Sequence, residues 1–274
     1  MRLSIRHRTS YRFAAPQVRL VQLARLTPPS FAGQTVIGWE IAVECDARLR
    51  ATRDGYGNDV TMVYVDGPID ALTIEVAGEV LTEDRAGIVR GTNEPLPAAV
   101  FLRSSPLTSA DAGIRALAET AGAAAADPLG RLHALNRLMA ERMRFDATGM
   151  DVRRTAADAL AMGHGVCQDF THVFVAAARE MDIPARYVSG HLFRRDGADD
   201  QPAAHAWAEA CIEDLGWVGF DSANGISPDD AYVRVAVGLD YREAAPIAGA
   251  RTGMGEESLD VAVSVTQAGG QRQS

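Results

Sequence analysis

The spacing of apolar residues changes near residue 100, and this change divides the chain into two regions of different structure. Before it, apolar and polar residues alternate in segments rich in β-branched side chains, such as 36–44, 60–65 and 72–80. Such alternation is typical of half-buried strands. From Ser109 onward apolar residues recur every three or four positions, which predicts helices. We therefore expect an α+β protein with a β-rich, sandwich-like domain over 1–99 and a second domain over 100–274.

The second domain combines helices with strands. The pattern predicts a short helix over 155–162 and a longer helix that follows Cys167 and stops at Ile183-Pro184. Further strands are predicted near 204–212, 217–221 and 232–237. We expect the longer helix to pack on an antiparallel sheet formed by these strands.

A glycine-rich turn leads directly into the longer helix, and Cys167 falls among the first residues of that helix. The turn reads Gly163-His164-Gly165-Val166. Unpaired amide N–H groups and the positive end of the helix dipole stabilise a thiolate at such a position. Counting by the helical period places Cys167 on the same face as Phe170 and Phe174, so the thiol is predicted to point toward the protein body.

Two alternating segments downstream supply possible partners for the thiol. His205 begins the first segment and Asp221 ends the second, and the polar residues 213–216 between them predict a hairpin. A hairpin symmetric about Glu213 places His205 directly opposite Asp221. The same register pairs Trp207 with Gly219 and Glu209 with Trp217.

A thiol, an imidazole and a carboxylate in this order form the machinery of a cysteine nucleophile. Cys167 attacks an acyl carbonyl as a thiolate, and His205 accepts a proton and later delivers one to the leaving amine. Asp221 holds the imidazole in the useful tautomer and stabilises its cation. Backbone N–H groups at the helix start are natural donors to the developing oxyanion. We therefore predict that Cys167, His205 and Asp221 are catalytic.

Each of these residues also has a structural interpretation. Taken singly, Cys167 is a small buried hydrophobe, His205 a core or capping residue, and Asp221 a turn residue that closes a strand. Their order, together with the helix-start position of the thiol, favours catalysis. Cys45 and Cys211 lack such a context and are interpreted as packing residues.

A zinc site is an alternative to the catalytic interpretation. The candidate ligands are His164, Cys167, His172 and His191, of which only the first two are close in sequence. No second clustered pair supports a structural zinc site. The turn Asp54-Gly55-Tyr56-Gly57-Asn58 lacks the ligand spacing of a calcium loop. We therefore predict no metal and no cofactor.

Composition limits the partners that this chain can have. The net charge of -9 argues against nucleic acid and anionic membranes as partners. Hydrophobic content of 47% and charged content of 23% are those of a soluble globular protein. The 3 cysteines are widely spaced and odd in number, so a disulfide framework is not expected. Without a secretory signal pattern at the start, we predict a cytoplasmic protein; the pattern does not indicate an oligomeric state.

Several segments in a specific order resemble the bacterial transglutaminase-like family, part of the papain-like cysteine enzyme superfamily. The resemblance rests on Gly165-Val166-Cys167-Gln168-Asp169-Phe170, Ile183-Pro184-Ala185-Arg186-Tyr187-Val188-Ser189-Gly190, His205-Ala206-Trp207, Gly216-Trp217-Val218-Gly219-Phe220-Asp221 and Val235-Ala236-Val237-Gly238-Leu239-Asp240-Tyr241. Tyr11-Arg12-Phe13 and the turn at 54–58 resemble the β-rich region that accompanies this catalytic core in bacteria.

This resemblance implies a Cys-His-Asp triad at the same three residues and a peptide or protein amide as substrate. The family's bacterial members are more similar to amidases and peptidases than to crosslinking enzymes, which favours hydrolysis. A protein-glutamine acyltransferase, and a binding module that keeps the fold without activity, are the alternatives. The chain departs from the family pattern at Ser222-Ala223, Leu239, Glu243 and His191, and we expect these departures to affect the substrate pocket.

Overall fold

The structure, a computed structural model, describes residues 1–148 and 151–269 and contains two principal antiparallel sheets. Strands β1 to β7 span Arg2–Ala24, Gln34–Val43, Arg48–Arg53, Asp59–Thr82, Ile88–Val89, Arg144–Phe145 and His164–Gly165. Strands β8 to β14 span Ala185–Leu192, Asp200–Gln201, His205–Ile212, Gly216–Phe220, Tyr232–Gly238, Ile247–Thr252 and Glu257–Gln267. Helices α1 to α5 span Ala112–Ala123, Pro128–Arg142, Ala156–Met162, Cys167–Glu180 and Tyr241–Ala244, and a 3₁₀ helix spans Ala98–Leu102. The predicted α+β class is confirmed.

The first sheet is built on the two long strands β1 and β4, which pair along most of their length. Its order is β2-β4-β1-β14-β9, with β13 beside β1 and β3 beside β4. Val63 near one end of β4 and Ile74 near the other belong to one apolar core. The sheet therefore curls over itself, which agrees with the sandwich-like region expected from the alternating pattern.

Strands from the end of the chain complete this first sheet. Residues 247–252 and 257–267, which fall within the second predicted domain, pair with β1. Conversely, the short strand Ile88–Val89 of the first predicted domain pairs with β11 in the second sheet. Alternation identifies a strand but not its partner, so the division at residue 99 did not anticipate this exchange.

The second sheet carries the central helix α4. Its order is β12-β8-β10-β11-β5, and Ala208 and Ala210 of β10 share a core with Phe174 and Ala177 of α4. Residues 168–179 are buried without exception, although the sequence predicted a single apolar face. The helix is enclosed on every side because α1, α2 and α3 pack against the surface that the sheet leaves open.

Two amide side chains from the first sheet region bind the backbone of β12, the edge strand of the second sheet. Gln34 accepts from the amide of Arg234 and donates to its carbonyl, each at 2.8 Å. Asn58 makes the same pair of contacts with Val237, also at 2.8 Å. Side-chain amides thus satisfy an edge that would otherwise expose unpaired backbone groups.

The turn at 54–58 positions Asn58 for this contact. Asp54 accepts from the amides of Tyr56 and Asn58 at 3.0 and 3.1 Å, as expected of an aspartate that closes a turn. Its other oxygen accepts from Arg25 at 2.8 Å. The segment is the turn that the sequence predicted, and it joins the two sheet regions.

Two histidines are buried where β1 of the first sheet meets β8 of the second. The rings of His7 and His191 pack edge to face with centroids 5.5 Å apart, and each residue is 2% exposed. Their ladder neighbours include Val76, Val263 and Val233. Burial lowers the pKa of His7 to about 4. Burial and the neighbouring His7 lower the pKa of His191 to about 3.

Acidification should therefore destabilise the protein through these two residues. Imidazoles of the unfolded chain protonate near pH 6.5, whereas the folded pair stays neutral, so the unfolded state binds more protons. The stabilisation from the neutral rings is complete above about pH 6.5 and declines as the pH falls toward 4 and 3. We expect the free energy of unfolding in urea to fall by up to about 1.4 kcal/mol per pH unit for each histidine.

The variant His191→Phe tests this assignment, and His133→Phe is its matched control. His133 is a half-buried histidine that also packs edge to face on an aromatic ring, that of Phe220. Between pH 7 and 5 the His191→Phe protein should lose less stability than either the wild type or the His133→Phe protein. An unchanged slope in His191→Phe contradicts the assignment.

Candidate active site

Asp169 shapes the loop that presents Cys167. One oxygen of its carboxylate accepts from the amide of Val166 at 2.9 Å and from Arg154 at 2.8 Å. A Cβ atom added to Gly165 would lie 2.3 Å from the same oxygen, so only glycine allows this close approach. Cys167 is the first residue of α4. Its side chain is half-buried and forms no disulfide.

The structure brings the three predicted catalytic residues together. Nε2 of His205 lies 2.6 Å from Oδ2 of Asp221, and the side chain of Cys167 is close enough to the His205 ring to raise its pKa. Because Asp221 occupies Nε2, Nδ1 is the ring nitrogen left for the thiol. Cys167 packs against buried Tyr187 and Ala206, so it faces the protein body as the helical spacing predicted.

The predicted hairpin register is wrong by two residues. Glu209, not Trp207, pairs with Gly219, and Ile212 pairs with Gly216. The turn is centred on Asp214 instead of Glu213, and both Asp214 and Gly216 adopt left-handed φ angles, 66° and 86°. A shift of two preserves the face of every side chain. His205 and Asp221 therefore still meet, although they do not pair in the ladder.

Opposing effects set the charge of His205. Burial disfavours its cation, but the negative charge of Asp221 and the contact with Cys167 outweigh burial and raise the pKa of His205 to about 10. Burial also acts to raise the pKa of Asp221, but His205 and the other donors hold that pKa below its usual range. An imidazolium beside an ionised carboxylate is therefore the favoured state near neutral pH.

Sequence reasoning missed two side chains that bind Asp221. Asn224 donates its side-chain amide to Oδ2 at 2.7 Å, and Tyr232 donates its hydroxyl to the same oxygen at 2.7 Å. The backbone amides of Ala223 and Asn224 donate to Oδ1. Asn224 directly follows the departures at Ser222-Ala223 in the sequence, but no local signal connects Tyr232 with Asp221.

Two further tyrosines lie next to Cys167. Tyr187 of β8 is 2% exposed, and its ring is 6.1 Å from that of Tyr241. Burial raises the pKa of both, and negative charge at Cys167 raises it further. Their hydroxyls therefore stay protonated beside the thiol, where they are available as hydrogen-bond donors.

An ion-pair cluster occupies the face of the sheet opposite α4. Glu209 is fully buried between Arg186 and Arg234, at 2.8 Å from each. Arg186 also pairs with Glu94 and stacks 3.7 Å from the ring centre of Trp217. Glu209 shares a strand face with His205 as predicted, but its partners are arginines. Its role is structural, because breaking one such pair would leave an uncompensated buried charge.

The departures from the family pattern have identifiable partners. Ser222 donates to Asn136 at 2.7 Å. Leu239 is buried beside Trp217, and Glu243 accepts from Tyr56. His191 belongs to the buried pair described above. Only Ser222 and its neighbour Ala223 are close to Asp221.

A groove of about 490 Å³ runs beside the Asp221 loop. Its lining comprises the C-terminal part of α2, the segment after it and the loop, including Arg142, Phe145, Phe170, Ala223 and Asn224. Phe145 is 52% exposed and pairs with Gly165, two residues before Cys167. The groove therefore lies between the loop that follows Asp221 and the segments that precede Cys167, and its lining includes Ser222 and Ala223.

The residues weighed as zinc ligands lie in separate environments. His172 accepts from the amide of Tyr241 at 3.1 Å, and burial lowers its pKa to about 4. His164 lies near Asp146, and His191 lies beside His7. Within residues 1–148 and 151–269, no three His, Cys, Asp or Glu side chains are grouped as a metal site requires. No helix in the same part of the chain is long and apolar enough to cross a membrane.

Comparison with known proteins agrees with this architecture. Residues 3–81 match the bacterial transglutaminase-like N-terminal region, and residues 115–222 match the Transglutaminase-like superfamily. An uncharacterized protein of Mycobacterium leprae is 31% identical over 97% of this chain and 99% of its own. One of Mycobacterium tuberculosis is 28% identical over 96% and 92%. A candidate cysteine protease from Cytophaga hutchinsonii has the same fold, with a TM-score of 0.79 at 19% identity over 99% and 92% of the two chains.

The chain belongs to the transglutaminase-like superfamily, a superfamily of cysteine enzymes. The resemblance identified from the sequence is thereby confirmed.

Gly190 gives the site its sharpest steric constraint, and its replacement should disturb the triad. It pairs with His205 in the ladder, and an added Cβ would lie 2.6 Å from the ring of Trp207 and 2.2 Å from a backbone oxygen. We expect Gly190→Ala to cost about 1–3 kcal/mol of stability, because overpacking forces a shift of the backbone or ring. It should also slow alkylation of Cys167.

Gly38→Ala is the control, because Gly38 also lies in a strand but nothing lies within 4 Å of its added Cβ. Urea unfolding and the alkylation rate measure the two effects. Equal stabilities and equal alkylation rates of the two variants would contradict the steric role of Gly190.

Proposed function

We propose that this protein is a cysteine enzyme that cleaves amide bonds through an acyl-enzyme, with hydrolysis as the overall reaction. The observation that carries the proposal is the position of His205, which contacts Cys167 on one side and Asp221 on the other. The proposed substrate is a peptide or protein amide, of the peptide, isopeptide or glutamine type. Membership of a cysteine-enzyme superfamily supports the proposal.

In the acylation step, the thiolate of Cys167 attacks the carbonyl carbon and forms the S–C bond. The C–N bond then breaks, and the His205 imidazolium gives its proton to the departing nitrogen. Asp221 keeps the ring oriented throughout. Water then gives a proton to the now neutral His205 and attacks the acyl carbon. The S–C bond breaks, the acid leaves, and the Cys167 thiolate and the His205 imidazolium are regenerated. Backbone amides at the start of α4 are the proposed donors to the oxyanion.

Hydrolysis and transamidation share the acyl-enzyme and differ only in whether water or an amine resolves it. The family resemblance favours hydrolysis over transamidation. A module that keeps the fold without activity is the remaining alternative, and the buried ionised carboxylate beside His205 argues against it. The free state of all 3 cysteines supports the proposed cytoplasmic location.

The first expected result is that iodoacetamide alkylates Cys167 rapidly below pH 7, because the His205 cation stabilises the thiolate. Cys45 is exposed and is an internal control. Partial desolvation and the negative charge of Asp46 raise the pKa of its thiol. Peptide mapping by mass spectrometry after timed alkylation at pH 6 separates the two rates. We expect the substitution His205→Ala to slow the alkylation of Cys167 at least about tenfold, without changing the alkylation rate of Cys45. Equal rates at the two thiols in the wild type contradict an activated nucleophile.

The second expected result is amide turnover that requires Cys167. A panel of glutamine-type, isopeptide and peptide amides should release acid without an added amine, and Cys167→Ala should abolish the release. Adding methylamine tests the acyl acceptor. If the methylamide is the main product, the function is transamidation and not hydrolysis. If no amide is turned over, the inactive module is favoured.

A further inference from the structure

We propose that Tyr232 is a positioning residue whose hydroxyl sets how strongly Asp221 holds the His205 cation. This inference rests on the proposed function, because it concerns the proton that His205 carries during amide cleavage. Tyr232 is not part of the predicted triad. It acts on the reaction through Asp221.

Tyr232 and His205 donate to the same carboxylate oxygen. The hydroxyl lies 2.7 Å and the ring nitrogen 2.6 Å from Oδ2 of Asp221, with Asn224 as a third donor at 2.7 Å. Each donor stabilises the negative charge and so makes the carboxylate a weaker base toward the others. The attraction between Asp221 and His205 therefore depends on whether the hydroxyl of Tyr232 is present.

The hydroxyl is held rigidly and keeps its proton. Tyr232 is 6% exposed and begins β12 opposite Leu192. Its ring packs edge to face on Trp207, with centroids 5.4 Å apart. Burial and the negative charge of Asp221 raise the pKa of Tyr232 well above its ordinary value. The phenol is therefore a neutral donor throughout the pH range in which a cysteine enzyme works.

Removing the hydroxyl should strengthen the bond between Asp221 and His205. With only His205 and Asn224 left on Oδ2, more of the negative charge acts on the imidazolium, and the pKa of His205 should rise. A more stable imidazolium is a weaker general acid toward the leaving nitrogen. If proton transfer is half complete in the transition state, a rise of one pKa unit slows acylation roughly threefold.

Tyr232→Phe tests the proposal, with an NMR pH titration of the His205 ring as the primary measurement. We expect the pKa of His205 to rise by about 0.5 to 1 unit relative to the wild type. The turnover number of amide cleavage should fall about twofold to threefold. Alkylation of Cys167 at pH 7 should change less than about twofold, because His205 is cationic there in both proteins.

Tyr56→Phe is the matched control. Tyr56 also donates its hydroxyl to a carboxylate, that of Glu243, at 2.5 Å, but it belongs to the turn that joins the two sheet regions. Its loss should lower the melting temperature without moving the His205 titration. A lower melting temperature in Tyr232→Phe with an unmoved or lowered pKa of His205 overturns the proposal, since that is the result of a purely structural role.

Incorporating 3,5-difluorotyrosine at position 232 tests the same coupling without removing the donor. Its hydroxyl has nearly the same shape and is a stronger donor, so the pKa of His205 should fall. The protein with difluorotyrosine at position 232 gives the same test even if Tyr232→Phe folds poorly. The titration requires no substrate, so absence of amide turnover contradicts the proposed function alone, and absence of a shift contradicts the role of Tyr232 alone.

Discussion

The buried negative charge of Asp221 is the interaction on which the candidate site depends. The residue is fully buried, and an ionised carboxylate in such a place is stable only when charges and hydrogen-bond donors surround it. Oδ2 accepts hydrogen bonds from His205, Asn224 and Tyr232, and Oδ1 accepts hydrogen bonds from two backbone amides. The carboxylate in turn fixes the imidazole against Cys167, so the loop after Asp221 and strand β12 together determine the orientation of the ring.

The first sheet region contributes to the site by holding β12 in place. Gln34 and Asn58 bind the backbone of β12 at Arg234 and Val237, and Tyr232 begins the same strand. Side-chain amides replace the missing neighbouring strand, so the edge is both protected and aligned. The β-rich region therefore connects to the proposed chemistry through a strand that donates to Asp221, although it supplies no member of the triad.

Much of the fold and the candidate triad could be predicted because the relevant signals are local. Period and glycine placement located α3 and α4, with Gly163 ending α3 in a left-handed conformation at φ 67°. Alternation placed His205 and Asp221 on compatible faces even though the register was off by two residues. The register itself depends on turn conformation, and the residues 213–216 are compatible with more than one turn.

The sequence by itself determined the class of secondary structure, the helix start at Cys167 and the identity of the proposed triad, because these follow from spacing of a few residues. Only the tertiary structure decided which strands share a sheet, that Tyr232 and Asn224 converge on Asp221, and that His7 meets His191. Such contacts join positions far apart in the chain, such as residues 7 and 191. No local pattern specifies them, because they arise from how the two sheets pack against each other.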